Sequence, residues 1–83
     1  MSNKRRTSRQ AVNSPAWMEI GVDARLRKCR LVDISAKGAR LFVENIDDTP
    51  DSFNLLLSRF GRPQYRCNVV GKHGNEVGVE FLA

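Results

Sequence analysis

The sequence has little of what metal centres and disulfide scaffolds are built from: it contains two cysteines and one histidine. A small secreted domain held by disulfides carries more cysteines at closer spacing. A Cys/His zinc site needs more ligands than this chain offers. Cys29 and Cys67 each lie inside a run of alternating apolar residues. We therefore predict that both are reduced thiols in the core.

Long hydrophobic runs are also missing. No apolar stretch approaches the roughly 20 residues needed to span a bilayer. The chain begins with basic residues, but no apolar segment follows them, so we expect neither a secretory signal nor membrane insertion. We expect a cytoplasmic location. At 83 residues the chain is one domain, with a thin core that buries roughly 60–65% of its unfolded surface.

Catalytic patterns are equally scarce. The sequence shows no Ser/His/Asp set, no Gly-rich phosphate loop and no paired carboxylates. His73 lies in a Lys-His-Gly-Asn segment that predicts a solvated turn. The acidic run over 44–51 lacks the alternating ligands of a calcium loop, so we interpret it as a solvated loop. We therefore predict no enzyme activity, no metal and no cofactor.

Positive charge is present and unevenly distributed. Fourteen basic and nine acidic residues give a net charge of +5, and residues 1–10 hold four basic groups and no acid. Such a balance favours an anionic partner: nucleic acid, a phosphorylated small molecule or a membrane surface. The positive potential is expected near the N-terminus and around residues 25–40, which favours a local anion site.

Apolar residues alternate with polar ones in short segments separated by turn residues. This pattern predicts six strands, over 16–22, 28–34, 39–43, 52–58, 64–70 and 77–81. Glycine-containing turns are predicted over 35–38 and 71–75. We predict an all-β fold, a small six-stranded antiparallel β-barrel over residues 13–83. Residues 1–12 are predicted to be a flexible arginine-rich arm, because they lack a hydrophobic period.

Two short motifs could bind an anion. Arg5 and Arg9 form Arg-x-x-x-Arg in the arm, and a guanidinium group pairs with phosphate oxygens or with guanine O6 and N7. Asp33, Ser35 and Gly38 form Asp-x-Ser-x-x-Gly at a strand end. The carboxylate can accept two parallel donors of guanine, and the serine can cap the turn or reach the ligand. The glycine can supply a positive φ or a close backbone approach. Each motif alone is common in basic tails and ordinary turns.

Taken together, three segments of the sequence resemble those of a known family. Arg5-Arg6-Thr7-Ser8-Arg9, Val32-Asp33-Ile34-Ser35-Ala36-Lys37-Gly38-Ala39 and the ending Val77-Gly78-Val79-Glu80-Phe81 resemble the PilZ domain, a bacterial receptor family for cyclic di-GMP. The resemblance implies a ligand held on the outer surface of the barrel and an arm that closes over it, passing the signal to a downstream protein.

The resemblance also implies roles for individual residues. The implied ligand-binding residues are Arg5, Arg9, Asp33, Ser35 and Gly38, with Lys4, Arg6, Arg40 and Glu80 as secondary candidates. Many members of the family continue into a C-terminal helix, which we expect to be absent from this chain. The family's frequent aromatic residue near 70–71 is replaced by Val70-Gly71.

Two other functions stay open. A basic β-barrel can bind single-stranded nucleic acid, but such proteins interleave aromatics on a stacking surface, whereas most aromatics here fall at predicted core positions. A PilZ-like barrel can also act as a protein-interaction module without a nucleotide. Members of that kind usually lack one of the two motifs, and both are present here.

Overall fold

Residues 10–23, 25–58, 60 and 62–82 are described by the computed structural model, and all structural statements concern these residues. The backbone forms six strands and a single turn of 3-10 helix at Ile46–Asp48. The strands are β1 (Gln10–Ile20), β2 (Arg25–Ile34), β3 (Gly38–Phe42), β4 (Ser52–Leu56), β5 (Gln64–His73) and β6 (Glu76–Phe81). The described residues contain no α-helix.

The strands close into a barrel in the order β1-β2-β3-β6-β5-β4, and every neighbouring pair is antiparallel. Two of the contacts, β3 with β6 and β1 with β4, join strands distant in sequence. The predicted all-β, six-stranded antiparallel barrel is therefore confirmed.

Alternate residues of each strand point into the barrel, as the sequence pattern predicts. Phe53, Met18 and Leu41 are among the largest fully buried side chains. The buried cluster consists of Ala16, Met18, Cys29, Leu31, Ala39, Leu41, Val43, Phe53, Leu55, Cys67, Val77 and Val79. Tyr65 and Phe81 stack against each other beside this cluster, with ring centroids 4.4 Å apart.

Both cysteines are free thiols in this core, as predicted. Burial raises the pKa of the Cys29 thiol to about 12, and the nearby Cys67 adds to the shift. Burial likewise raises the pKa of the Cys67 thiol, to about 11, although a backbone hydrogen bond and Arg66 oppose the shift. Neither thiol is a nucleophile at neutral pH, because the thiolate is the reactive form.

Strand β1 begins earlier than predicted. It starts at Gln10, so the first strand includes residues 10–12, which the sequence pattern assigned to the arm. Asn13 adopts a left-handed conformation (φ 54°), and the β1–β2 register shifts between Ala11 and Ser14. This bulge breaks the alternation of side chains, which hides the start of the strand in the sequence. The remainder of the predicted arm lies outside the described residues.

The β5–β6 hairpin is also longer than predicted. Pairing continues through Gly71–Gly78 and Lys72–Val77 to His73–Glu76, and the turn itself is only Gly74 and Asn75. Gly74 has a φ of 62°, which a residue with a side chain rarely adopts. The predicted turn over 71–75 therefore lies partly within strands.

The strand directions give the barrel two distinct ends. The turn end holds the start of β1, the β2–β3 turn (35–37) and the end of β6. The hairpin end holds the β1–β2 turn (21–23), the acidic connection over 43–51 and the β5–β6 turn. The residues of the Asp-x-Ser-x-x-Gly motif thus lie at the turn end.

Candidate functional site

The β2–β3 turn is held by three hydrogen bonds around Ser35. The Ser35 backbone N–H donates to the Gly38 carbonyl oxygen over 2.8 Å, and the Ser35 hydroxyl donates to the same oxygen over 3.4 Å. The hydroxyl also accepts the backbone N–H of Lys37 at 3.3 Å. Of the two roles that the sequence offered for Ser35, capping the turn is the one formed in this structure.

Gly38 is required by close packing of the backbone. A Cβ atom at this position would overlap the carbonyl oxygen of Val79 and lie 3.2 Å from the Cα of Glu80. The described glycines with positive φ are Gly21 and Gly74, so Gly38 needs no left-handed conformation. The sequence predicted a close backbone approach at Gly38, and in the structure the backbone of strand β6 makes that approach. A side chain here would push β3 and β6 apart.

Asp33 and Arg40 face each other across β2 and β3. The two residues are register partners, and Arg40 Nε lies 3.7 Å from Asp33 Oδ2. Arg40 also reaches strand β6, where its Nη1 lies 3.8 Å from Glu76 Oε1. The side chain of Asp33 is 14% exposed, whereas that of Arg40 is 47% exposed. A largely covered carboxylate is thus joined to a cation that solvent and ligands can reach.

A shallow depression of about 350 Å³ continues from Arg40 across the outer surface. Gly78 and Gly71 are register partners on β6 and β5, and a Cβ atom added to Gly71 would meet no atom within 4 Å. Neither glycine has a positive φ. Because neither residue has a side chain, the surface beside Arg40 is exposed backbone, against which a planar group could pack. The depression is lined by Arg40, Val70, Gly71, Lys72, His73, Glu76 and Gly78.

The sequence did not single out the Gly71–Gly78 pair. Glycine within a strand is the available signal, because it marks a bulge or a close approach by a ligand. That signal could not show that the two glycines lie opposite each other, since this depends on the β5–β6 register.

Glu80, a secondary candidate, is exposed and pairs with Gly38. It lines another depression, of about 470 Å³, together with Lys37 and Phe81. The structure therefore places Asp33, Ser35 and Gly38 at the turn end, with Arg40 opposite Asp33 and Glu80 opposite Gly38. Four predicted site residues, Lys4, Arg5, Arg6 and Arg9, lie outside the described residues.

The β1 register shows where the arm joins the barrel. Gln10 pairs with Ile34, and Ala11 pairs with Asp33. Arg9 precedes Gln10 in the chain, so the covalent connection to the arm starts next to the strand end that carries Asp33. The described chain therefore enters the barrel beside Asp33, directly after the arm motif in the sequence.

The described residues contain no group of three or more His, Cys, Asp or Glu side chains placed to hold a metal ion. His73 is exposed at the end of β5. In this part of the chain, no helix combines the length and the apolar character needed to cross a membrane.

One comparison with known proteins agrees with this architecture and another finds no match. No curated protein matches the sequence. A family model does match it: that of the PilZ domain, over residues 3–83. This range includes all but the first two residues of the predicted arm, every strand of the barrel and both motifs. The chain belongs to the PilZ domain family.

Proposed function

We propose that this PilZ domain binds cyclic di-GMP on the outer face of the barrel, beside the β2–β3 turn. PilZ domains form a family of cyclic di-GMP receptors, and they are not enzymes. The observation that carries the proposal for this chain is the register that pairs Ala11 with Asp33. It attaches the arginine arm to the strand end that carries the Asp-x-Ser-x-x-Gly motif.

The described residues suit a guanine nucleotide. The Asp33 carboxylate can accept hydrogen bonds from the N1–H and N2–H groups of guanine once its ion pair with Arg40 is broken. Arg40 then stays on the outer surface as a cation for a phosphate or as a face for base stacking. The glycine pair beyond Arg40 provides flat backbone on which the second half of a cyclic dinucleotide can lie.

The contacts named above can supply a binding free energy close to that of micromolar affinity. Micromolar binding corresponds to about 8 kcal/mol. Two or three bidentate guanine contacts of roughly 1–3 kcal/mol each, with phosphate neutralisation by Arg5 and Arg9, approach this sum. The conformational entropy lost by the arm subtracts from it. We propose that the arm changes conformation over the ligand, that this change passes the signal to a partner protein, and that the receptor acts in the bacterial cytoplasm.

The direct test is a calorimetric titration of the purified chain with cyclic di-GMP. We expect saturable binding, and we expect Arg9→Ala or Asp33→Ala to weaken it by roughly tenfold or more. Asp51→Ala is the matched control, because Asp51 is an exposed carboxylate outside the turn end. Absence of both binding heat and a melting-temperature shift at excess ligand would refute the proposal.

Two further measurements separate the proposal from its alternatives. A random single-stranded oligonucleotide at moderate salt should not displace the bound nucleotide, since nucleic-acid binding by basic residues is strongly salt-dependent. The amide NMR signals of residues 1–9 should shift during the titration. Signals that stay unshifted at saturation would contradict closure of the arm.

A further inference from the structure

One stretch of the barrel has a strand neighbour on only one side. Strand β2 pairs with β1 from Arg25 to Ile34, whereas β3 pairs with β2 only from Arg30 onward. After β3 the chain turns towards the β5–β6 hairpin, where the Val43 N–H donates to the Asn75 carbonyl oxygen. Within the described part of the chain, β1 is therefore the one strand that pairs with residues 25–29 of β2. We call this stretch the open edge.

Basic residues dominate the open edge. Arg25 and Lys28 are exposed, Arg27 is half-buried, and Arg30 follows at the point where β3 begins to pair. In the described part of the chain the ion pairs are those of Arg40, so these four cations have no carboxylate within ion-pairing distance. The acidic connection over 44–51 lies at the same end of the barrel, but its described carboxylates form no ion pair with them.

Exposed apolar side chains accompany these charges. Leu26 is 50% exposed on the open edge, and Phe42 is exposed at the end of β3. An added strand that continued the path of β3 would begin beside Phe42. A depression of about 420 Å³ lies there, lined by Lys28, Cys29, Arg30, Phe42 and Glu44. Its lining combines an aromatic ring with two cations and one carboxylate.

A second copy of this chain is a poor occupant of the open edge. Antiparallel pairing of two such edges would place Arg27 opposite Arg27 or Lys28 opposite Lys28. Like charges directly opposite each other destabilise a strand pair. An extended segment with acidic side chains has the opposite preference, because its carboxylates would meet these cations while its backbone completes the sheet.

We propose that the open edge binds an extended acidic segment of another protein as an added β-strand. The segment would form backbone hydrogen bonds with residues 25–29, and its alternate carboxylates would face Lys28 and Arg30. These two side chains point to the same, outer side of β2, because Cys29 between them points into the core. This surface is at the opposite end of β2 from Asp33, so the inference does not depend on nucleotide binding.

The test is fluorescence anisotropy of the full chain with a short labelled peptide of alternating glutamate and valine. We expect saturable binding, and no binding of the same peptide with lysine in place of glutamate. Two further peptides carry N-methyl groups on one or the other alternate set of residues. An added strand uses the N–H groups of one set only, so one of these peptides should lose binding and the other should retain it.

Variants of the chain locate the site. Lys28→Glu should weaken binding roughly fivefold, as expected for an exposed ion pair that becomes a repulsion. Arg62→Glu is the matched control, because Arg62 is exposed, makes the same charge change and lies in the β4–β5 connection at the turn end. Unchanged melting temperatures would show that both variants fold.

Four outcomes would overturn the inference. Equal binding of both N-methylated peptides would mean that charge alone attracts the peptide. An equal loss with Lys28→Glu and Arg62→Glu would mean the same. Absence of binding would mean that the cations protect the edge against pairing with another copy of the chain. Complete displacement of the peptide by a single-stranded oligonucleotide would mean that the cations form a nucleic-acid surface.

Discussion

The two halves of strand β2 differ in how many neighbours they have. From Arg30 to Ile34 the strand is paired on both sides, with β1 and β3, and this half carries Asp33. From Arg25 to Cys29 its strand partner among the described residues is β1 alone. In the first half, backbone pairing on both sides holds a carboxylate in place. In the second half, unpaired backbone groups and cations remain available to a partner.

This difference suggests a division of roles along one strand. A ligand site benefits from side chains positioned before the ligand arrives, because less conformational entropy is lost on binding. An edge that receives another strand needs accessible backbone groups instead. The same ten-residue strand satisfies both requirements because β3 is only half as long as β2.

The largest expected effect contrasts two leucines of β2. Leu31, in the doubly paired half, is 3% exposed, whereas Leu26, on the open edge, is half-exposed. Leu31→Ala should lower the free energy of unfolding by about 2–5 kcal/mol, because it leaves a cavity in the core. Leu26→Ala should change it by about 0.5 kcal/mol or less. Urea unfolding measures both, and equal losses would mean that the open edge is covered.

A smaller effect is expected where β3 closes the site. Gly38→Ala should cost about 1–3 kcal/mol of unfolding free energy, since its Cβ atom would overlap the Val79 carbonyl oxygen. Gly71→Ala is the matched control, because its Cβ atom would meet no atom within 4 Å. We expect the control to stay within about 0.5 kcal/mol of the parent chain in the same unfolding experiment. A Gly38→Ala variant of parental stability would contradict the close approach of β6.

The smallest effect concerns Cys29, which points into the core from the singly paired half. Its pKa is raised from 9.0 to about 12 by burial, so the folded state keeps the proton that the unfolded state releases above pH 9. Its contribution to stability is therefore fully present below pH 9 and is lost progressively from pH 9 towards pH 12. Between pH 9 and pH 10 the loss should be about 1 kcal/mol.

Denaturant unfolding at several pH values measures this loss, and Cys29→Ala isolates it. The variant is expected to be less stable at neutral pH, but its stability should fall less steeply between pH 9 and pH 10. Parallel pH profiles for the two chains would show that folding does not raise the pKa of the Cys29 thiol.

Much of the fold could be predicted from alternation. The barrel, the core positions of Cys29 and Leu31 and the loop character of 44–51 all follow from which residues are apolar and at what spacing. The start of β1 could not be predicted, because the Asn13 bulge changes the side-chain period within the strand. Pro15, the residue before the predicted first strand, lies inside β1 opposite Arg30.

The candidate site was predictable to the extent that it depends on local motifs. Asp33, Ser35 and Gly38 are close in sequence and lie together at the turn end. The ion pairs of Arg40 with Asp33 and Glu76 required knowledge of two strand registers, as did the glycine pair beside them. The open edge depends on the relative lengths of β2 and β3, which the residue pattern does not specify.

The short contact between β1 and β4 has a consequence for how the chain folds. Three residue pairs form this contact: Trp17–Leu56, Met18–Leu55 and Glu19–Asn54. The partners are separated in sequence by the whole of β2 and β3, so the entropy of closing a long loop opposes their meeting. Hairpins such as β5–β6 close over much shorter loops. Barrel closure is therefore expected late in folding, and the first and fourth strands stay exposed to wrong partners until it occurs.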